Sequence, residues 1–188
     1  MQRTRLVFRE MSQLVGSEGL SVAMLTDLPG KRVLSVICDR QMTDQMAIRL
    51  NRQPNTRLLL PEVLLEMMTA DGKALDHYEL YVYGIVDGQY KVSLLNRLSL
   101  TLRPIRMSDA VMLSYISHIP LYIDEQLMQR QCSEYVPFAP GISIPINTID
   151  TERLNKALEK AISEENYRLA SHLHEEIKRR EENERMRN

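Results

Sequence analysis

Two carboxylates at helical spacing are the first candidates for chemistry in this sequence. Glu62 and Glu66 lie four residues apart, so on a helix they share one face and could together hold a divalent cation. Two exposed carboxylates at this spacing are also typical of an ordinary solvated helix surface. The pattern therefore supports two hypotheses, a metal site and a plain exposed face.

Three arginines form a second candidate group. Arg49, Arg52 and Arg57 are close enough in sequence to make a local cationic patch that could contact the phosphates of DNA or RNA. The whole chain does not favour strong non-specific binding to nucleic acid, because 24 Lys and Arg are balanced by 25 Asp and Glu, a formal net charge of −1. Contact with nucleic acid is therefore expected to be local.

A third group of polar residues opens a predicted helix. Ser108 is expected to be its N-cap, Asp109 suits the positive end of the helix dipole, and Arg106 can pair with Asp109. These roles are structural. By themselves, the three residues indicate no reaction.

The cysteines and the apolar runs exclude several classes of protein. Cys38 and Cys132 stand far apart without a CxxC or Cys/His cluster, so no zinc site is expected. No stretch approaches the roughly 18 uninterrupted apolar residues of a membrane span, and the N-terminus lacks the apolar run of a signal peptide. The sequence therefore predicts a cytoplasmic protein with reduced thiols and no membrane partner.

Alternating apolar residues and turn signals predict the strands that must position these groups. The clearest signal is the pair Asp87 and Gly88 between two apolar runs within 74–96, because glycine accepts the positive φ of a type I′ hairpin turn. A further strand is expected over 98–105, with alternate leucines on its core face. Those leucines are Leu98, Leu100 and Leu102. The remaining strands are predicted at residues 4–11, 20–27, 32–38 and 118–123.

Four helices are predicted between the strands. Thr43 is expected to cap the first, and Pro61 suits the first position of the second. The predicted spans are 43–52, 61–70, 108–117 and 124–131. The expected buried positions are Met46, Ile48 and Leu50 in the first helix and Val63, Leu64, Met67 and Met68 in the second.

The composition changes after residue 131. Prolines and a glycine within 132–149 argue against a regular element and predict an extended linker. Residues 150–188 then show helical periodicity, and Ser163 is expected to cap a second helix there. The predicted fold class is α+β (mixed α/β). An antiparallel-rich sheet with packed helices fills residues 1–131, and an α-helical hairpin follows the linker.

The apolar positions of the C-terminal segment carry a resemblance. Their spacing from Leu154 through Tyr167 to Ile177 is similar to the UvrB/UvrC motif. In that family the motif is a helical hairpin that associates with a partner copy, so the resemblance implies a protein partner. The residues that would contact the partner are Leu158, Ile162, Tyr167, Ala170, Leu173 and Ile177.

Residues 32–131 resemble the bifunctional nuclease family of DNases and RNases. The resemblance lies in the acidic helix start at 60–64, in the hairpin at 87–88, and in 105–110 followed by 119–123. It implies hydrolysis of phosphodiester bonds in DNA or RNA with a divalent metal such as Mg²⁺, Mn²⁺ or Ca²⁺.

The resemblance also implies roles for the polar residues introduced above. Glu62, Arg106 and Asp109 become catalytic candidates, with Arg106 meeting the charge that develops on the phosphate. Glu62, Glu66 and Asp109 become the candidate metal ligands.

The chain departs from the family pattern where the second helix begins. The family usually has Thr-His-Asp there, and this chain has Leu60, Pro61 and Glu62, which keeps only the acidic member. The alternative function is therefore that of a non-catalytic binding or scaffold protein that recruits a protein partner through its C-terminal helices. For either function, self-association into a homo-oligomer is expected.

Overall fold

The structure is a computed structural model that describes residues 2–13, 20–70, 75–137 and 144–187. The chain divides into two compact units. The first comprises Met1–Gly84 and Tyr90–Ser143, and the second comprises Ile85–Gln89 and Ile144–Asn188. Across the described ranges, no helix has the length and apolar character needed to cross a membrane.

The first unit is built on an eight-stranded sheet, as the α+β prediction requires. Its strand order is β6-β5-β4-β7-β1-β2-β3-β8. The pairing of β4 with β7 is parallel, whereas β1 with β2, β1 with β7, β2 with β3, β3 with β8 and β5 with β6 are antiparallel. The strands are β1 (Arg3–Gln13), β2 (Ser21–Asp27), β3 (Arg32–Cys38), β4 (Tyr78–Val86), β5 (Gln89–Asn96), β6 (Thr101–Ile105), β7 (Leu121–Asp124) and β8 (Ser133–Glu134).

Four helices belong to the same unit, and two more form the C-terminal unit. The first four are α1 (Arg40–Leu50), α2 (Leu60–Ala70), α3 (Met107–Ser117) and α4 (Glu125–Gln131). The last two are α5 (Thr151–Ser163) and α6 (Tyr167–Arg187). The C-terminal helical hairpin predicted from the sequence is thus confirmed.

The core of the first unit lies on the central strands. Along β2, six of the seven residues are buried, and the pattern does not alternate, so both faces of this strand are covered. Aliphatic side chains from β3, β4 and β7 continue this core, and α1 adds two methionines and α4 one. The largest fully buried members include Leu25, Leu34, Met46, Leu80, Leu121, Ile123 and Met128.

The hairpin between β4 and β5 has the predicted turn. Asp87 and Gly88 both have positive φ, 53° and 77°, which is the combination that a type I′ turn requires. The next strand differs from the prediction. Residues 97–100 form turns and Leu100 has φ 53°, so β6 begins only at Thr101 as an edge strand.

The expected core face of β6 is therefore wrong. Leu98, Leu100 and Leu102 are 70%, 77% and 59% exposed. Alternation along the chain identifies a face of a strand, but only neighbouring elements can bury that face.

Several helix boundaries also differ from the predicted ones. Asp39, rather than Thr43, caps α1, because its side chain accepts a hydrogen bond from the backbone N–H of Met42 at 2.8 Å. Arg106 stands at the N-cap of α3, so Ser108 lies inside that helix instead of capping it. The helices start earlier than predicted because the cap is set by local backbone geometry.

Not all the apolar residues expected in the helix cores are buried. Of the three positions expected to be buried in α1, only Met46 is buried, whereas Leu50 is 38% exposed. In α2 no residue is buried, and Leu64 and Met67 of the predicted stripe are 49% and 63% exposed.

The segment predicted as an extended linker without regular elements contains two short ones. Ser133 and Glu134 of β8 pair with Val33 and Arg32 of β3, which extends the sheet by one short edge strand. A 3₁₀ turn spans Ile146–Thr148. Residues 138–143 lie outside the described part of the chain, and the domain boundaries at 131/132 and 149/150 stay predictions.

The C-terminal unit is held by a small apolar cluster between α5 and α6. Leu154, Ala161, Ala170 and Leu173 form its buried centre. The predicted cap at Ser163 is wrong, because this residue ends α5 and its hydroxyl donates to the carbonyl of Lys160. Asn166 takes the capping role for α6, since its side-chain oxygen accepts from the N–H of Leu169 at 3.2 Å.

An arginine near the end of α6 ties this unit together. Arg180 is 5% exposed and forms an ion pair with Glu176, one helical turn away, at 2.9 Å. It also donates to the hydroxyl of Thr151 and to the carbonyl of Asn147, both at 3.2 Å. Buried guanidinium nitrogens need several acceptors, and here three segments of the unit supply them.

Candidate active site

An arginine and two aspartates meet where α1 and α3 begin. Arg106 donates to Asp109 in the first turn of α3, with distances of 2.7 Å from Nε to Oδ2 and 3.1 Å from Nη2 to Oδ1. Its Nη1 also lies 4.0 Å from Oδ2 of Asp39, the N-cap of α1. One guanidinium thus joins two carboxylates from different helices, and we call these three residues the Arg106 cluster.

The Arg106 cluster is accessible and strongly polar. The side chains of Arg106, Asp39 and Asp109 are 67%, 53% and 33% exposed, so a bound molecule could reach all three. Hydrogen bonding to Asp109 raises the pKa of Arg106, and this arginine remains a cation across the pH range of enzymes. The positive ends of two helix dipoles also favour anions at this place.

Glu62 is held by a different arginine. Arg49 donates to both carboxylate oxygens of Glu62, from Nε and from Nη2, each at 2.7 Å. The remaining Nη1 donates to the carbonyl and to the side-chain oxygen of Gln45, at 2.7 and 3.0 Å. The Arg49 side chain is only 3% exposed and that of Glu62 only 17%, so the pair serves the packing of α1 against α2.

The other predicted charged residues are exposed. Glu66 lies on the solvent side of α2, Arg52 follows the end of α1 with φ 48°, and Arg57 lies in the 3₁₀ turn Thr56–Leu58. Of the predicted arginine patch, Arg52 and Arg57 are therefore accessible to a nucleic acid, whereas Arg49 is buried and fully engaged.

The predicted ligand set for a metal is not assembled. Over residues 2–13, 20–70, 75–137 and 144–187, no three His, Cys, Asp or Glu side chains are grouped in a way that could hold a metal ion. The Arg106 cluster supplies two carboxylates, and one of them, Asp39, is not among the site residues predicted from the sequence.

Asp39 had a recognisable signal in the sequence. It stands directly after a buried strand and directly before the first helical residues, which is the position where aspartate caps a helix. Thr43 offers the same capping chemistry four residues later, and the periodicity could not separate the two. The approach of Asp39 to Arg106 depends on the fold and could not be predicted from the sequence.

A cleft lies beside β1 at the other end of α3. It has a volume of about 490 Å³ and contains no Asp or Glu among its lining residues. Phe8 and Tyr115 form one wall as an edge-to-face aromatic pair with ring centroids 5.5 Å apart. The lining residues are Arg5, Leu6, Val7, Phe8, Ser114, Tyr115, His118, Ile119, Pro120 and Leu121.

The residues expected to contact a protein partner divide into two groups. Ala170 and Leu173 are buried between α5 and α6, and Leu158 and Ile177 pack against them. Ile162 and Tyr167 are 54% and 68% exposed. Tyr167 opens α6 and Ile162 is one residue from the end of α5, so the accessible apolar surface lies at the tip of the helical hairpin.

Comparison with known proteins identifies the family. A family profile described as the bifunctional nuclease domain matches residues 23–135, which is more than half of the 188 residues. The match begins inside β2 and ends just after β8, and it includes every residue of the Arg106 cluster. A search among curated proteins gives no match. This chain belongs to the bifunctional nuclease domain family.

Proposed function

We propose that this protein hydrolyses phosphodiester bonds in DNA or RNA, and that the reaction takes place at the Arg106 cluster. The observation that carries the proposal is the convergence of two carboxylates on one exposed guanidinium, inside the part of the chain that matches the nuclease family. Phosphodiester hydrolysis needs a cation opposite the developing phosphate charge, and carboxylates to hold a metal ion or orient water.

A divalent cation fits this arrangement. Mg²⁺ keeps several of its waters and needs only one or two protein carboxylates together with the phosphates of the substrate. Asp39 and Asp109 would supply these carboxylates, and the bound cation would act as a Lewis acid on the phosphate. Arg106 would then contact the non-bridging phosphate oxygens. Arg106 also bonds both oxygens of Asp109, but that pair is 67% and 33% exposed, so a cation and a phosphate could separate it. The Arg49–Glu62 pair is only 3% and 17% exposed, and Glu62 is therefore left out of this set.

The test is cleavage of single- and double-stranded DNA and RNA by the full chain, with Mg²⁺, Mn²⁺, Ca²⁺ or EDTA. Asp109→Asn and Asp39→Asn remove one negative charge each and keep the shape of the side chain. At position 39 asparagine also caps α1 as well as aspartate does. We expect each variant to lose on the order of a hundredfold in rate. The matched control is Asp44→Asn, an aspartate of α1 that is 68% exposed and lies 3.9 Å from Arg40.

Two results would contradict this proposal. Cleavage that proceeds equally in Asp109→Asn, Asp39→Asn and the control would place the reaction elsewhere. A folded wild-type chain that cleaves no substrate with any of the cations would remove the activity altogether.

A second candidate function is that of a binding protein acting through the helical hairpin. It is supported by the exposed tip, where Ile162, Tyr167 and Leu169 leave 54%, 68% and 40% of their surface uncovered. A photo-crosslinking amino acid at position 167 should give a discrete adduct in cells, whereas the same group at exposed position 174 should not. No adduct at position 167 would argue against this function.

A further inference from the structure

We propose that the cleft beside β1 binds one unstacked base of the nucleic acid, so that the substrate is a single strand. This inference rests on the proposed function, because it names the class of substrate that the Arg106 cluster would cleave. It is carried by the size, the wall and the charge of the cleft, and by the unpaired backbone of β1.

The dimensions and the wall suit a planar aromatic ligand. Pockets of roughly 300–1,000 Å³ are the usual size for small ligands, and the cleft of about 490 Å³ falls within this range. Phe8 and Tyr115 meet at an interplanar angle of 74°, and both rings are half-buried. A nucleobase can stack on or pack against such rings regardless of its identity.

The charge of the cleft suits the phosphate attached to that base. Arg5 and His118 line the cleft and are both exposed, and no carboxylate lines it. Arg5 can therefore meet a phosphate without a competing anion in the cleft.

The backbone of β1 offers unpaired groups on the same side. The antiparallel pairing of β1 with β7 runs from Arg3 opposite Asp124 to Leu6 opposite Leu121 and goes no further. The N–H of Glu125 donates to the carbonyl of Gln2, which shows that alternate residues from Gln2 onward turn their N–H and C=O towards β7.

We infer from this alternation, which is regular up to the bulge between Phe8 and Glu10, that Phe8 turns its N–H and C=O towards the cleft, where the described chain has no strand to pair with them. Ile119 has its own backbone groups bonded to α3. Its own N–H is bonded to the hydroxyl of Ser117 and its carbonyl to that of Ser114, at 3.2 and 2.8 Å. A free donor and acceptor on one strand can recognise the edge of a base.

The cleft and the Arg106 cluster lie at opposite ends of one helix. Arg106 is the N-cap and His118 the C-cap of α3, so about 12 residues separate them, or about 18 Å at 1.5 Å per residue. A strand of a few nucleotides could place one base in the cleft and a phosphate at Arg106. A base inside a duplex is stacked and paired and cannot enter a cleft without being extruded.

The experiment measures binding separately from cleavage. Fluorescein-labelled single-stranded (dA)₈ and (dT)₈ and a blunt DNA duplex are titrated with the full chain in EDTA, and the fluorescence anisotropy gives Kd. We expect both single strands to bind more tightly than the duplex. Tyr115→Leu should weaken single-strand binding roughly five- to a hundredfold, the effect of losing one stacked base.

Two further variants guard against a Tyr115→Leu protein that fails to fold. Arg5→Gln should weaken binding. It should also reduce the slope of log K against the logarithm of the salt concentration by about one, which corresponds to the loss of one phosphate contact. His118→Asn removes the imidazole but tolerates the φ of 60° at this position. The matched control is Tyr83→Leu, which removes a 52% exposed tyrosine of β4 that does not line the cleft and should leave Kd unchanged.

The outcomes distinguish this inference from the proposed function. Unchanged Kd in folded Tyr115→Leu and Arg5→Gln, or tighter binding of the duplex, would overturn the base site. Single-strand binding that depends on both residues, in a protein that cleaves nothing, would support the base site and overturn only the nuclease. Tyr115→Leu should otherwise raise KM for a single strand, whereas Asp109→Asn should lower kcat with little change in Kd.

Discussion

Arg49 and Glu62 form an ion pair with two parallel contacts of 2.7 Å, and the arginine side chain is 3% exposed. Removing one partner of a buried pair leaves an uncompensated charge and costs roughly 3–5 kcal/mol. Because Glu62 keeps some access to water, we expect Glu62→Ala to destabilise the protein by about 2–3 kcal/mol, which urea unfolding will measure. Lost activity in this variant would then report unfolding instead of chemistry.

Glu66→Ala is the matched control for this prediction. Glu66 lies one turn further along α2 and is exposed, so its removal should change the free energy of unfolding by less than about 0.5 kcal/mol. Replacing both partners, as in Arg49→Met with Glu62→Leu, should recover much of the lost stability, because the buried charge disappears with its partner. Equal stability of Glu62→Ala and wild type would contradict the structural role.

Acid should weaken the protein through a second arginine network. Arg32 donates to Asp27 at 2.8 Å and to Glu125 at 2.7 Å, and Glu125 also accepts from the hydroxyl of Thr4. Burial opposes the charged form of Asp27, but hydrogen bonds from Arg32 and from the backbone N–H of Lys31 outweigh it and lower the pKa. The hydrogen bond from Arg32 is the main cause of the lowered pKa of Glu125.

Lowered carboxyl pKa values fix the direction of the pH dependence. Just below roughly pH 4, the ordinary range of carboxyl groups, the unfolded chain binds more protons than the folded chain. The stability that the Arg32 network contributes is therefore complete above that range. This contribution is lost as the pH falls through the lowered pKa values of Asp27 and Glu125 in the folded chain. The Arg32→Met variant lacks the network, so it has no such contribution to lose in acid. The difference between its urea midpoint and that of wild type should therefore shrink from pH 5 to pH 3. A midpoint difference that stays constant, as expected for exposed Arg40→Met, would contradict this prediction.

Gly88 should tolerate no side chain, for two separate reasons. Its φ of 77° strains any residue with a Cβ, and an added Cβ would lie 2.8 Å from the carbonyl oxygen of Ile149 in the same C-terminal unit. We expect Gly88→Ala to lower stability by about 2 kcal/mol or more in thermal unfolding. Gly84→Ala is the control, because nothing lies within 4 Å of its added Cβ.

A further variant separates the two reasons. Asparagine adopts positive φ readily, so Gly88→Asn removes most of the backbone strain and retains the close approach to Ile149. We expect Gly88→Asn to be destabilised as well. If Gly88→Asn unfolds at the same temperature as wild type, the close approach to Ile149 does not contribute to the free energy of unfolding.

Local features were the ones that the sequence could predict. The turn at Asp87 and Gly88 is encoded in two adjacent residues, and the helical character of the tail follows from its apolar spacing. The division of the tail into two helices was predicted from a cap at Ser163, whereas Asn166 caps α6. The strands β1 to β3 were also predicted within two residues of their bounds, because their apolar and turn residues are neighbours in the chain.

Features that depend on distant residues could not be predicted. The partner of Glu62 is 13 positions away, and Asp39 meets Arg106 only after β4 to β6 have been placed in the sheet. The prediction of buried side chains was wrong in α2 and β6 for a related reason. Apolar residues in both elements have the spacing of a buried face, but no element of the described first unit covers that face.

The exposed stripe on α2 predicts self-association. Leu60, Leu64 and Met67 are 70%, 49% and 63% exposed, and their spacing of four and three residues puts them on one side of the helix. Leu58 adds a further side chain that is 76% exposed just before it. Contiguous apolar patches on monomeric proteins rarely exceed a few hundred Å², and a stripe without charge can pack against its own copy about a two-fold axis.

We therefore expect the wild-type chain to form dimers or larger oligomers at micromolar concentration in light scattering after size exclusion. The double variant Leu60→Gln with Leu64→Gln should shift towards the monomer. Its free energy of unfolding per monomer should change by less than about 1 kcal/mol, because both side chains are already exposed in the single chain. Ile162→Gln, at the tip of the C-terminal hairpin, tests the other exposed apolar surface in the same experiment. A wild-type chain that remains monomeric at all concentrations would refute the α2 contact, and dissociation by Ile162→Gln alone would assign self-association to the helical hairpin.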